Sequence, residues 1–418
     1  MPSICFVEPP YGWFAEQLDP PFSLMYLAAV AEKLGWKAQI IDMHSLETPL
    51  PEADVYAVTS TSPQWSTTLK LSERLAKEHP DSLKIVGGNH VSALPADAEA
   101  SKFDLCVTGE GEKALENILK NPQNWKNRQF QFIHGESVQN LDTIPFPARH
   151  LIDWKQYKRG IFWGKQLLEP AVGIITSRGC PGSCTFCGSH VVMGHRTRFR
   201  SINNVVAEMN QVITEMGYHG FNFHDDTFCV NRNRALEICK KFKPLNVVWR
   251  CLTRVNTVDE EILSAMKEAG CKEIIYGIES YSQKILDSLH KGTTVKQNLH
   301  AMKLTKKAGI QTKAGIIVGS PGETWETVEE TKKGLRECPP DYWNISVFSP
   351  YPGCAVATDP EKFKVKILTR NIEEYAMVSK GYKGNVVMET EAMRKADIEQ
   401  ARDELIELCL SLTGVESS

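Results

Sequence analysis

Several things that would each have placed this chain at once are missing from it. No apolar run in its 418 residues approaches the ~20 residues of a membrane span. The opening MPSICFVEPPYGWF carries no basic n-region, no long apolar stretch and no cleavage site. A soluble, cytoplasmic protein without a membrane partner is expected. Charge of one sign is missing as well: 48 Lys and Arg stand against 51 Asp and Glu, with no basic run of the kind that tracks a phosphate backbone. That excludes nucleic acid as the expected partner. No G-x-G-x-x-G follows the first apolar run, where EPPYGWFAEQLDPP stands instead, which speaks against a nicotinamide or flavin dinucleotide. The pattern also offers no Ser-His-Asp set for nucleophilic catalysis.

Cysteine, by contrast, is present twelve times. In a chain of this length, with ample apolar sequence and no export signal, that is not a small secreted disulfide scaffold, and the thiols are expected reduced. Most of them, such as Cys5, Cys106, Cys239 and Cys271, lie inside apolar or helical segments and read as small buried hydrophobes.

The length calls for more than one core, and two domains are expected. Over residues 1–125, strand-length apolar runs (SICFVEP, KAQIIDM, DVYAVTSTSP, LKIVGGNH, DLCVTGEG) alternate with helical patterns. Strict alternation implies right-handed crossovers and a doubly wound parallel sheet, which binds ligands at the carboxyl ends of its strands. The loops there are small and polar: Ser60-Thr61-Ser62, Gly87-Gly88-Asn89-His90 and Gly109-Glu110-Gly111-Glu112. Taken singly such glycines make turns. Three in register suit a large flat ligand that approaches the backbone. Residues 126–169, rich in Asn, Gln and Pro, break the alternation and read as a linker. From AVGIITSRGC onward six repeats of strand then helix, over 170–358, give a partial (β/α)6 barrel, whose chemistry belongs at the strand ends. Residues 359–418 read as a short C-terminal cap over its open end.

At the end of the first barrel strand stands TSRGCPGSCTFCGSH, in which Cys180, Cys184 and Cys187 form C-x3-C-x2-C. Thiolates ligate zinc or iron-sulfur clusters. A structural zinc would take a fourth ligand, for which His190 or His195 is available, and the spacing alone leaves that open. A 4Fe-4S cluster on three thiolates keeps one iron open for the amine and carboxylate of a ligand.

This motif, with Phe186 before its last cysteine and its place in a six-fold strand-helix series, resembles the signature of radical S-adenosylmethionine (SAM) enzymes, over residues 170–355. The resemblance implies that Asp225 and Asp226 receive the SAM amino group, Arg254 its carboxylate, and Glu279 and Ser280 its ribose. GIIVGSPGET, with Val318, and SPYPG would line the adenosine. Singly, each has a plain reading, Arg254 as a surface ion pair, Glu279 as a strand-end cap, the aspartates as helix N-caps. Their recurrence at successive strand ends is what those readings do not explain.

Residues 1–150, through PPFSLMYLAAVAEKLGW, IVGGNHVSALP, VTGEGEKALENIL and IPFPAR, are similar to the cobalamin-binding domain that precedes many such enzymes. On that resemblance the corrin edge is held by Ser60, Thr61, Gly87, Gly88, His90, Gly109 and Glu110. The D-x-H-x-x-G of cobalamin mutases is missing. Asp42-Met43-His44 imitates its start after the wrong strand, with Glu47 where glycine belongs, and reads as a chance match. Gln64 and Trp65, placed on the loop after the third strand, are the candidates for the lower face of cobalt. Tyr351, Arg198 and Arg200 are placed at the pocket or at the domain interface, with ordinary surface roles equally open. Cys354, where relatives carry threonine, is expected to pack.

The activity implied is cobalamin-dependent radical methyl transfer to an unactivated carbon, fed by a low-potential electron donor. The substrate implied is a small molecule or a peptide or protein residue, such as a glutamine of methyl-coenzyme M reductase. A cyclase using the same cofactors and a non-catalytic zinc-stabilised corrinoid binder are the competing readings.

Overall fold

The structure, a computed structural model, describes residues 1–11, 20–125, 129–157, 160–375 and 384–415. By their contacts they divide into two compact units, one of residues 1–158 with 188–198, the other of 159–187 with 199–418.

The first unit holds β1 (Ser3–Glu8), α1 (Phe22–Lys33), β2 (Lys37–Asp42), β3 (Val55–Thr59), α2 (Trp65–Glu78), β4 (Leu83–Gly87), α3 (Asn89–Ala93), β5 (Leu105–Gly109), α4 (Gly111–Lys120) and β6 (Gln131–Gly135). Its six strands pair in the order β2-β1-β3-β4-β5-β6, all parallel. Side chains alternate across a strand, and the apolar run of β1 therefore feeds two cores. Ile4 and Phe6 pack with α1 and α4, while Cys5 and Val7 pack with Leu71 and Leu75 of α2. Two local readings change. Residues 131–135, inside the stretch read as linker, add the sixth strand, and Trp65 opens α2 instead of sitting in a loop. The short helix α5 (His190–Met193) also belongs to this unit, although in sequence it follows the cysteine motif directly.

The second unit begins with the hairpin of β7 (Gly160–Trp163) and β8 (Gln166–Ile174), followed by the two-residue strand β9 (Ser177–Arg178); β10 (Arg198–Phe199) falls at the boundary, with Arg198 counted in the first unit. Then come α6 (Ile202–Met216), β11 (Gly220–Phe223), α7 (Arg232–Phe242), β12 (Val248–Thr253), α8 (Glu260–Glu268), β13 (Cys271–Glu279), α9 (Gln283–Ser288), α10 (Val295–Lys307), β14 (Gln311–Val318), α11 (Trp325–Glu337) and β15 (Tyr342–Val347). Strands β8, β11, β12, β13, β14 and β15 are consecutive, parallel neighbours in a sheet that curls into a half-barrel. Only β7 is antiparallel. Its turn reaches the last strand, where Gly164 O accepts a hydrogen bond from Tyr342 Oη at 2.8 Å. Polar side chains start the helices: Ser201, Asn231, Asp259, Thr294 and Thr324 each accept a backbone N–H of the first turn.

After α12 (Ala355–Thr358), the C-terminal segment adds the antiparallel pair β16 (Val365–Ile367) and β17 (Met388–Thr390), then α13 (Lys395–Thr413). Helix α13 packs on α11 and β15. Part of the stretch read as a cap, 376–383, lies outside the described residues.

Candidate cluster and cofactor site

The loop after β8 carries Cys180, Cys184 and Cys187, all half-buried. Its start is held from the next strand. Asp225 Oδ1 accepts the N–H groups of Thr176 (2.6 Å) and Ser177 (3.1 Å), and Oδ2 accepts Thr176 Oγ1 at 2.5 Å. This carboxylate is buried and spent on the loop backbone, so Asp225 positions the cysteine loop; the half-buried Asp226 follows it. Burial pushes the Asp225 carboxyl above the usual range, against the hydrogen bonds from Thr176 and Ser177. Between the second and third cysteines, Thr185 N donates to Leu289 O (3.0 Å) and Thr185 O accepts Val356 N (3.2 Å).

A Cβ placed on Gly182 would stand 3.4 Å from Cys180 Sγ, 3.8 Å from Cys184 Sγ and 3.2 Å from Arg254 Nη1. A side chain there would touch both thiols and press on the guanidinium, which would have to shift by a few tenths of an ångström. Arg254 Nη1 lies 3.5 Å from Cys184 Sγ, and its Nη2 donates to Lys291 O. Thr227 Oγ1 lies 3.7 Å from Cys180 Sγ. Lys291 Nζ in turn donates to Glu279 Oε1 at 2.6 Å and sits 5.8 Å from the centre of the Phe186 ring. Backbone strain gathers here: Glu279 (φ 61°) and His290 (φ 48°) are non-glycine residues in the left-handed region.

The other named residues divide. Ser280 Oγ is buried against Thr331 Oγ1 at 2.9 Å, and Val318 is buried in the sheet with its carbonyl accepting Phe348 N. Ser320 Oγ, just beyond β14, is buried without a hydrogen-bond partner among the described residues, an atom that a bound ligand would satisfy. Tyr351 Oη donates to Tyr375 O, tying it to the C-terminal segment. Cys354 is fully buried, caps α12 through Ala357 N (3.4 Å), and has its thiol pushed up by burial. Arg200 is buried against Glu208, with Asn204 Oδ1 at 2.7 Å. Sequence reasoning missed Lys291 and Thr227, which carry no motif of their own, and did not single out Ser320 within GIIVGSPGET.

Among the described residues no three His, Cys, Asp or Glu side chains surround a common metal point, which a structural zinc requires. His190 and His195 stack on each other at 4.7 Å. Thiolates that each bind a separate iron of a cluster need no common point, and the three cysteines fit that group.

In the first unit, the side chains named for the corrin edge mostly point inward. Gln64 donates to Glu8 Oε1 (2.6 Å) and Pro9 O (2.7 Å) and accepts from Thr61 N and Thr61 Oγ1. With its amide satisfied and buried, Gln64 braces its loop. Trp65 is buried and stacks on His90 at 4.4 Å. His90 bridges Ser62 Oγ (3.1 Å) and Asp97 Oδ2 (3.2 Å), a Ser-His-Asp chain that the sequence did not reveal, with Ser62 and His90 buried and Asp97 half-exposed. Glu110 is buried too, paired with Arg198 and accepting Val138 N at 2.8 Å, so it anchors the 188–198 segment. Ser60 Oγ meets Thr68 Oγ1 at 3.0 Å. What the loops do offer is backbone. Gly88 (φ 106°) lies so close that a Cβ there would meet Ser60 O at 2.7 Å and Ser60 N at 2.8 Å. Ser92 Oγ joins Gly88 O to Gly109 N and holds two of the three loops together. A flat ligand over Gly87, Gly88 and Gly109 suits this floor of small residues.

At the ends of β1 and β2 lies a half-buried acid pair: Glu8, pushed up to about 7 by desolvation, and Asp42, pushed up to about 6, whose Oδ2 accepts Tyr157 Oη at 2.5 Å.

Fold and site define a cofactor-dependent enzyme with a doubly wound ligand-binding sheet and a cluster-bearing half-barrel. The comparisons agree. A model of the radical SAM superfamily matches residues 174–352, and one of the B12 binding domain matches 15–119. An uncharacterised methyltransferase of Pyrococcus horikoshii is 31% identical over 363 residues, covering 80% of this chain and 77% of that protein. An anaerobic magnesium-protoporphyrin IX monomethyl ester cyclase of Cereibacter sphaeroides is 30% identical over 84% of this chain, which spans 62% of that longer protein. Among solved structures, the radical SAM methyltransferase TsrM from Kitasatospora setae, with cobalamin and a [4Fe-4S] cluster bound, shares the fold. Its TM-score is 0.67 at 17% identity, over 88% of this chain and 81% of that one. The chain belongs to the cobalamin-dependent radical SAM methyltransferase family, and its cofactors are a [4Fe-4S] cluster, SAM and cobalamin. No helix among the described residues is long and apolar enough to cross a membrane.

Proposed function

We propose that this enzyme methylates an unactivated carbon in a residue of a peptide or protein, such as a glutamine of methyl-coenzyme M reductase, with electrons from a low-potential donor. When bound, SAM and the reduced cluster supply a 5'-deoxyadenosyl radical that takes a hydrogen atom from the substrate, and methylcobalamin supplies the methyl group. The chain's own residues bind and orient. Cys180, Cys184 and Cys187 hold the cluster, Asp226 meets the amino group of SAM, Glu279 its ribose, and the β14 end at Val318 and Ser320 its adenosine. No titratable group is needed to remove a proton from the substrate. The observation that carries the reading is the trio of half-exposed thiols at the end of β8, with Arg254 beside them.

The similarity to the magnesium-protoporphyrin cyclase favours a second reading, radical ring formation without methyl transfer. The test uses the anaerobically reconstituted full chain with SAM, hydroxocobalamin, a strong reductant and a glutamine-containing peptide. S-adenosylhomocysteine and 5'-deoxyadenosine in equal amounts, with a peptide heavier by one methylene, are expected. Deoxyadenosine with a porphyrin substrate and no S-adenosylhomocysteine would favour the cyclase. An iron-loaded protein that leaves SAM uncleaved would overturn both.

A further inference from the structure

Arg254 was expected to be a partner for the SAM carboxylate, yet its guanidinium already has a place. Nη1 lies 3.5 Å from Cys184 Sγ, and Nη2 is fixed by Lys291 O. The backbone around it is shaped for this approach. Gly182 leaves a gap that a Cβ would fill at 3.2 Å from Nη1, and a Cβ on Gly292 (φ 64°) would lie 3.7 Å from Nη2. His290 takes a left-handed conformation (φ 48°) immediately before the residue whose carbonyl receives Nη2. The Lys291 side chain is tied to buried Glu279, so the carbonyl that orients Arg254 is itself held in place.

We infer that Arg254 donates a charge-assisted hydrogen bond to the cluster thiolate of Cys184 and thereby raises the reduction potential of the cluster. Reduction adds one electron from an external low-potential donor, such as dithionite or titanium(III) citrate, to a [4Fe-4S]2+ cluster to give [4Fe-4S]+. No bond or proton is exchanged. The added negative charge spreads onto the sulfurs, and a fixed cation donating to one of them stabilises the reduced form more than the oxidised one. Lys291 and Glu279 are positioning residues in this arrangement. The role depends on the cluster alone, not on which substrate is methylated, so failure of the peptide assay leaves it standing or falling by its own measurement.

The test is an EPR-monitored redox titration of the reconstituted full chain without SAM. In R254M the ratio of oxidised to reduced cluster at a fixed solution potential is expected to rise about tenfold, equal to ~59 mV for one electron. R254K, which keeps the charge and loses the planar fork, should fall between. G182A keeps Arg254 but crowds its Nη1, and should move the potential the same way by less. If R254M does not load iron, R254K carries the test. A SAM-free potential that stays at the wild-type value in R254K or R254M, with only SAM affinity weakened, would overturn the inference and leave Arg254 as a ligand-binding residue alone.

Discussion

The two sheets expose their strand ends in opposite ways. In the first unit the polar side chains at those ends turn inward: Ser60, Gln64, His90 and Glu110 are all buried and bonded within the fold. In the second the three thiols remain half-exposed, while neighbours such as Asp225 and Arg254 do the holding. The difference follows from what each must grip. A wide flat ligand is recognised largely by shape, so its floor needs rigid small residues and backbone. A metal cluster takes side-chain atoms as covalent ligands, and those atoms must be left available.

The strongest way to break this contrast is to remove a ligand on one side and the floor on the other. C184A should lose iron loading and reductive SAM cleavage, the latter by at least ~100-fold, with cobalamin affinity unchanged within about twofold. Iron and sulfide analysis beside cobalamin titration checks it. G88V should do the reverse. Its Cβ would clash with Ser60 backbone atoms at a backbone angle that suits glycine. A loss of ~2–4 kcal/mol of stability and of at least about tenfold in cobalamin affinity is expected, with iron loading kept. Equal loss of both cofactors in either variant would refute the division of labour.

The buried Arg198–Glu110 pair sharpens the same contrast inside the first unit. R198M leaves a buried carboxylate without its cation and should cost ~3–5 kcal/mol in urea unfolding. The double variant R198M/E110L should recover most of that.

The smallest effect concerns two acids, the half-buried Glu8 in the first unit and the buried Glu323 in the second, both pushed up to about 7 by desolvation. Glu323 accepts N–H groups from Gly319 and Ser320, which oppose the shift without cancelling it. Because the folded state holds the proton more tightly than the unfolded chain, the associated stability is present below the ordinary carboxyl range and is lost as pH rises through about 7. The full swing is at most ~3–4 kcal/mol. E323Q should flatten the fall in melting temperature between about pH 5 and about pH 8, as measured by calorimetry. An unaltered slope would show that Glu323 does not carry it.

Much of the architecture was legible because strand-helix alternation and apolar periodicity are local. The five strands expected before residue 125 all form, and so does the six-fold series after 170. Strand β6 escaped because QFIHG is an edge strand whose outer residues, among them Phe132, stay exposed, so it lacks the continuous apolar run of its neighbours. The cysteine motif was equally legible, since ligands from one short loop are set by spacing. The directions of the supporting side chains were not. Asp225 and Asp226 are adjacent and chemically identical in sequence, and only the course of the loop after β11 turns the first onto Thr176. Gln64 looked open until Glu8, 56 residues away, took its amide.

By itself the sequence determined two parallel sheets, the loops that end their strands and the three thiols, all of which depend on residues near one another in the chain. Tertiary structure alone decided which charges meet. Lys291 with Glu279 spans 12 residues, Arg254 with Cys184 spans 70, and Arg198 with Glu110 spans 88. The physical reason is that a buried charge selects its partner by proximity after the chain has folded, in a low-dielectric interior where no separated ion is tolerated.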